Sequence, residues 1–129
     1  MLPHLSRIPY FCVMDGKINR NLLFIIPKKA CLDWAKKIYP KTPPEIRNQS
    51  TYQFGKAFLI PEFENHEDIL AWMSKNWLTW LETMLMEWTM EEELWPNNQD
   101  WELFTEFFEV VWQPMVIDTL PLPIKKEEE

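Results

Sequence analysis

The chain has 129 residues, of which 47% are hydrophobic and 15% aromatic, and it carries a net charge of −7. This composition excludes a disordered chain, and the length suits one domain with its own hydrophobic core. Only two glycines and two cysteines are present, which is too few for a glycine-rich phosphate loop or a disulfide framework.

The N-terminal half predicts two strands, a helix and a third strand. The segments IPYFCVM and KINRNLLFII flank Asp15 and Gly16, a pair that suits a hairpin turn. The second strand, centred on 22–26, is continuously apolar and should therefore be central in its sheet. A helix with one apolar face follows at 28–38, and GKAFLI predicts a strand at 55–60.

The C-terminal half predicts two amphipathic helices and a last strand. A long helix should start at about Asn65, and Asp100 is a suitable N-cap for another helix that runs to about Trp112. MVIDTL predicts a strand at 115–120, and the frayed acidic tail follows at 121–129.

This order of elements predicts an α+β fold. We expect a small mixed or antiparallel sheet of three to four strands packed against three helices. The strands at 22–26, 55–60 and 115–120 should belong to that one sheet, and residues 1–129 should form a single domain.

Tryptophans are concentrated at residues 77–101, in a stretch that suggests an aromatic cage, a partner surface or a core. Helical periodicity favours the core, because it gathers the apolar side chains on one side of each helix. On the long helix this stripe comprises Ile69, Leu70, Met73, Trp77, Trp80, Leu81, Met84, Leu85 and Trp88. On the next helix it comprises Trp101, Phe104, Phe107, Phe108 and Val111. Trp80 should pack against Phe104 or Phe108.

The succession LLFIIP, AFLIPEFEN, an acidic helix with tryptophans, ELWP, WELFTEFFEV and MVIDTL resembles a family of small bacterial proteins of unknown function. The resemblance covers roughly residues 19–120. It implies a cytoplasmic bacterial domain, and it carries over no catalytic residue because the family has no known activity.

Charge is divided unevenly between the two halves of the chain. Residues 1–60 contain ten Lys and Arg against three Asp and Glu, a net of +7, whereas residues 61–129 contain three against seventeen, a net of −14. The overall acidity argues against nucleic acid as a partner, because binding to phosphates requires clustered cations. The lysines of the basic half are typical of a solvated surface, and an anion-binding patch remains as the alternative.

The N-terminus lacks the features of an export signal. Prolines interrupt its apolar residues, and no small-residue cleavage site follows. The longest apolar run, LLFII at 22–26, is too short to span a bilayer. We therefore expect a cytoplasmic protein with no membrane partner, in which Cys12 and Cys31 are ordinary core thiols.

One cluster has the chemistry of a metal site. Glu62, Glu64 and His66 follow a strand, and alternate residues of an extended chain point the same way, so the three side chains could converge on one cation. The alternative is that Glu64, Glu67 and Asp68 complement a helix dipole and His66 is solvated. Asp118 is either a functional acid or a solvent-facing residue of an edge strand.

We expect a non-enzymatic interaction or accessory protein that has polarised acidic and basic faces and no cofactor. Its partner would be another protein or a second copy of the chain. The predicted partner surface comprises Trp72, which lies off the apolar stripe, and Glu91, Glu92 and Glu93, which precede a helix break. Alternatively, the tail or the proline-rich loop at 40–44 covers Trp72 within the same chain. The alternative function is a small metal-assisted hydrolase that uses the cluster described above.

Overall fold

Three antiparallel strands form the sheet in the computed structural model, which describes residues 16–39 and 54–127. The strands are β1 (Asn21–Pro27), β2 (Lys56–Ile60) and β3 (Phe108–Gln113), in the order β2-β1-β3. The apolar run at 22–26 is therefore central, as predicted, because β1 is hydrogen-bonded on both sides.

Three α-helices accompany this sheet, in agreement with the predicted α+β class. They are α1 (Lys29–Ile38), α2 (His66–Met86) and α3 (Trp101–Phe107), and a short 3-10 helix (Glu92–Leu94) separates α2 from α3. Within residues 16–39 and 54–127, no helix is both long and apolar enough to cross a membrane.

Side-chain caps fix the starts of α2 and α3 at the predicted positions. Asn65 Oδ1 accepts a hydrogen bond from the backbone N of Asp68 at 2.9 Å. Asp100 Oδ1 accepts one from the backbone N of Leu103 at 2.8 Å. Each cap satisfies a backbone donor that has no partner within its helix.

The core lies between one face of the sheet and the helices. Leu23 and Ile25 of β1 are fully buried there, together with Leu81 and Leu85 of α2 and with Phe104 of α3. Tilted aromatic pairs join the helices to one another. The ring centroids of Trp34 and Phe107 lie 5.9 Å apart between α1 and α3, and those of Trp77 and Phe104 lie 6.4 Å apart between α2 and α3.

The third helix is shorter than predicted, because α3 ends at Phe107 and the chain continues directly as β3. The apolar pattern that predicted a helix through Trp112 belongs to two elements. Val110 and Val111 are β-branched and favour an extended backbone, and β1 offers an edge on which the segment can form hydrogen bonds. Tertiary pairing thus decides the conformation of this stretch.

The predicted strand at 115–120 is wrong. Only one isolated bridge forms there, between Ile117 and Lys17. Pro114 has no N–H to donate and interrupts the ladder. Asp118 Oδ1 then accepts a hydrogen bond from the backbone N of Leu120 at 2.9 Å, which is a local turn and not a strand contact. Beyond it, residues 121–127 are exposed and contain no helix or strand.

Trp80 contacts partners other than those predicted for it. Its ring lies 4.5 Å from that of Phe58 on β2 and 5.8 Å from that of Trp72. The residue of α2 whose ring meets Phe104 is Trp77. Because the two tryptophans are three residues apart and so differ by about 60° around the helix, Trp77 faces α3 while Trp80 faces β2.

Several sequence predictions fall outside the described residues. The strand at 8–14, Cys12, Asp15 and the proline-rich loop at 40–44 are among them. Within the described part, Cys31 is fully buried in α1, as expected for a core thiol. Burial raises the pKa of this thiol to about 12.

Candidate functional site

The predicted metal cluster is not assembled. Glu62, Glu64 and His66 are all exposed, and no group of three or more His, Cys, Asp or Glu side chains in residues 16–39 and 54–127 could hold a metal ion. Phe63, between the two glutamates, is the residue of this segment that packs on the fold: its backbone N donates to Asn21 Oδ1 at 2.8 Å, and its ring lies 5.5 Å from that of Trp72. Of the three predicted ligands, His66 is the one that borders a cavity.

Trp72 and the three glutamates lie in different parts of the molecule. Trp72 is half-buried and touches Phe63 and Trp80, so aromatic side chains of its own chain cover part of its ring. The glutamates at 91–93 are exposed and follow the far end of α2. Trp72 lies about 20 Å along the helix axis from that end, at 1.5 Å per residue. Their role in partner binding stays a prediction.

Asp118 does not lie on a strand face. Its backbone N donates to the carbonyl of Gly16 at 2.7 Å, and its carboxylate is part of the local turn to Leu120. Both contacts are structural, and together with those of Val116 and Ile117 they hold residues 116–118 against residues 16–18.

An apolar groove lies between the first half of α2 and strand β3, with α3 closing one end. We call it the β3 groove. Its volume is about 280 Å³. The residues that line it are Leu23, His66, Ile69, Leu70, Met73, Trp101, Phe104, Thr105, Phe108, Val110 and Trp112. Nine of these eleven are hydrophobic, so the groove offers mainly apolar contact, with two polar side chains at its border.

The rim of the β3 groove exposes large hydrophobic side chains. Leu70 is 51% exposed, Trp101 43% and Val110 36%. Helical periodicity placed Leu70 and Trp101 in the core, yet nothing in the described chain covers them fully. A contiguous apolar patch on a surface is typical of a binding site.

The outer edge of β3 runs along this groove and has no strand paired to it. Lys28 N donates to Phe107 O at 2.7 Å, so the backbone groups of Phe107 point toward β1. Every second residue after it, which includes the odd-numbered residues of β3, points the same way. In an antiparallel ladder the directions alternate, and the N–H and C=O groups of Val110 and Trp112 therefore point outward. The side chains of these same two residues line the groove.

A buried asparagine positions this edge. Asn21 is only 2% exposed. Its Oδ1 accepts hydrogen bonds from Phe63 N at 2.8 Å and from Trp112 Nε1 at 3.0 Å, and its Nδ2 donates to Pro114 O at 2.8 Å. One side chain thus ties β1 to the loop before α2 and to both ends of the Trp112–Pro114 segment. Nothing in the sequence around NLLFII marks Asn21 as different from a polar residue that simply begins a strand.

The half of the chain that lines the groove is acidic. Every lining residue except Leu23 belongs to residues 61–129, which carry a net charge of −14. Glu67 follows the lining residue His66 in α2, and Glu109 lies between the lining residues Phe108 and Val110 in β3; both are exposed. Glu102 and Glu106 of α3 are also exposed, and they line a separate shallow cavity with Asn98, Asp100 and Leu103. The nearby cation is Lys28, whose Nζ donates to Thr105 O at 2.9 Å.

Comparison with known proteins identifies no relative. No family model, no curated protein and no solved structure matches the chain. The resemblance to small bacterial proteins of unknown function therefore stays a prediction.

Proposed function

We propose that this protein is a non-enzymatic protein-interaction protein that binds an extended segment of its partner along the outer edge of β3. The observation that carries the proposal is the open edge of β3 beside the β3 groove. An added strand would form backbone hydrogen bonds to Val110 and Trp112, and its alternate side chains would enter the groove.

The two parts of the surface reinforce each other. Backbone hydrogen bonds give an added strand affinity without sequence selectivity, whereas the groove selects the side chains at every second position. Leu70 and Trp101 would lose their exposure to water on binding, and aromatic residues at the centre of an interface commonly supply much of its free energy.

The exposed Glu109 of β3 and Glu67 of α2 support a basic segment as the partner. A segment that alternates apolar and basic residues would place its apolar side chains in the groove and its cations on the opposite face of the sheet, where Glu109 of β3 is exposed. Complementary charge also accelerates association and suppresses acidic competitors. An enzymatic function has less support, because the residues that line the groove include one histidine and no Asp or Glu.

A pair of synthetic peptides tests this proposal directly. One alternates valine with lysine and the other alternates valine with glutamate, at equal length. We expect the lysine peptide to bind at least about tenfold more tightly, which corresponds to about 1.4 kcal/mol. Fluorescence anisotropy measures both affinities, and added salt should narrow the difference.

Val110→Pro identifies the edge that is used. Proline removes the outward N–H of Val110 and leaves the hydrogen bonds between β3 and β1 intact, because those come from the odd-numbered residues. Ala57→Pro is the matched control, since the alternation of the ladder turns the N–H of Ala57 to the opposite open edge of the sheet. Loss of peptide binding in Val110→Pro alone supports the proposal, and equal loss in both variants contradicts it.

A further inference from the structure

We infer that the β3 groove of one copy binds the C-terminal tail of a second copy, residues 119–127, so that two chains exchange tails in a symmetric dimer. This inference rests on the proposed function, because the tail would occupy the same edge and the same groove.

The tail has the side-chain pattern that the groove requires. Leu120 is 65% exposed, Leu122 69% and Ile124 64%. In an extended chain these alternate residues lie on one side, so all three can enter an apolar groove together. Their high exposure in the single chain shows that no described part of that chain already covers them.

The prolines between them make the tail a strand with one usable edge. Backbone N–H groups of alternate residues point to the same edge of a strand. Leu122 and Ile124 therefore present donors on one edge, whereas Pro121 and Pro123 leave the other edge without donors. A tail of this kind can pair with β3 and then offers little to a further strand, which stops assembly at a closed dimer.

The two lysines of the tail lie next to its apolar residues and precede Glu127, Glu128 and Glu129. Residues 61–129 contain only three lysines, and two of them, Lys125 and Lys126, directly follow Ile124. In an extended tail Lys125 lies on the face opposite to Leu122 and Ile124, which corresponds to the face of β3 on which Glu109 is exposed.

The tail cannot reach the groove of its own chain with these residues. The contacts of Val116 and Asp118 with residues 16–18 carry the chain onward in the direction of β3. At roughly 3.3 Å per extended residue, Asp118 lies roughly 20 Å beyond Trp112. If the chain turned back, residues 119–124 would be needed to reach Trp112, so Leu120 and Leu122 would lie outside the groove. A second copy has no such constraint, and a two-fold axis makes both exchanges equivalent.

Sedimentation velocity of the full chain provides the first measurement. We expect a concentration-dependent dimer whose dissociation constant rises at least about tenfold in Leu122→Asp. Met90→Asp is the matched control, because Met90 is 73% exposed and lies outside the tail and the groove. A chain that is monomeric at all concentrations, or a dimer that Leu122→Asp leaves unchanged, would overturn the inference.

A labelled peptide of residues 116–129 provides the second measurement. It should bind the Leu122→Asp protein, whose own tail no longer competes, and Val110→Pro in that background should weaken binding at least about tenfold. Failure of this peptide, together with binding of the valine–lysine peptide, overturns the tail exchange alone. Failure of both peptides overturns the proposed function as well.

Discussion

Asn21→Ala should destabilise the protein more than any other loss of a single polar side chain among the described residues. The substitution removes three hydrogen bonds of 2.8, 2.8 and 3.0 Å. It also leaves Phe63 N, Trp112 Nε1 and Pro114 O without their partners at a position that is 98% shielded from water, since Asn21 is 2% exposed.

The expected loss follows from the number of these bonds. A hydrogen bond within a protein contributes about 1 kcal/mol net, and a buried group left without a partner costs about 1–3 kcal/mol. Three bonds give a loss of at least about 3 kcal/mol in the free energy of unfolding. With a urea dependence of about 1–3 kcal/mol per molar, the unfolding midpoint should fall by about 1–3 M.

Urea unfolding followed by tryptophan fluorescence measures this change, because eight tryptophans report on the core. Asn19→Ala is the control, since Asn19 is exposed and only its backbone carbonyl has a hydrogen bond, to Arg20 Nη1. We expect that control to change stability by less than about 0.5 kcal/mol. A loss below about 1 kcal/mol in Asn21→Ala would refute the role of Asn21 as the tie between β1, β3 and α2.

Three further predictions concern packing and titration. Gly55→Ala should cost about 1–3 kcal/mol in a thermal or urea unfolding measurement, because its new Cβ would lie 2.6 Å from Phe24 Cε1 and 3.1 Å from Ile25 O. Burial raises the pKa of the Cys31 thiol to about 12, above the ordinary value of 9.0. The thiol of the unfolded chain therefore loses its proton first, and the free energy of unfolding should fall as the pH rises from 9 toward 12, by up to about 1.4 kcal/mol per pH unit. Cys31→Ala should lack this part of the pH dependence, and an equal slope in both proteins would contradict the prediction. Trp72→Ala separates a partner contact from a core role. A variant that keeps its stability and loses the partner supports the former, whereas a destabilised variant that binds in proportion to its folded fraction supports the latter.

Local chemistry was sufficient to predict the position of most elements. The strand at 22–26 is recognisable because five consecutive apolar residues suit a strand covered on both faces. The starts of α2 and α3 are recognisable because Asn65 and Asp100 carry short acceptor side chains that cap a helix wherever one begins. Such signals act within a few residues and depend little on the rest of the fold.

The boundary between α3 and β3 could not be predicted in the same way. Phe104, Phe107, Phe108 and Val111 fit one arc of a continuous helix, and only the free side of β1 favours the extended form after Phe107. The β3 groove could not be predicted from the sequence for a related reason. Periodicity shows that Leu70 and Trp101 belong to apolar arcs, but it does not show whether another element lies near enough to cover them.

The sequence by itself therefore determined the α+β class, the central strand, the helix caps and the division of charge, because each depends on neighbouring residues or on composition. The tertiary structure alone decided which faces are covered. It left Glu62, Glu64 and His66 exposed to solvent, and it joined Asn21 to Trp112 across 91 positions of the chain. It also left the outer edge of β3 open beside an apolar groove. Each of these depends on contacts between residues distant in sequence, and those exist only when the chain has folded.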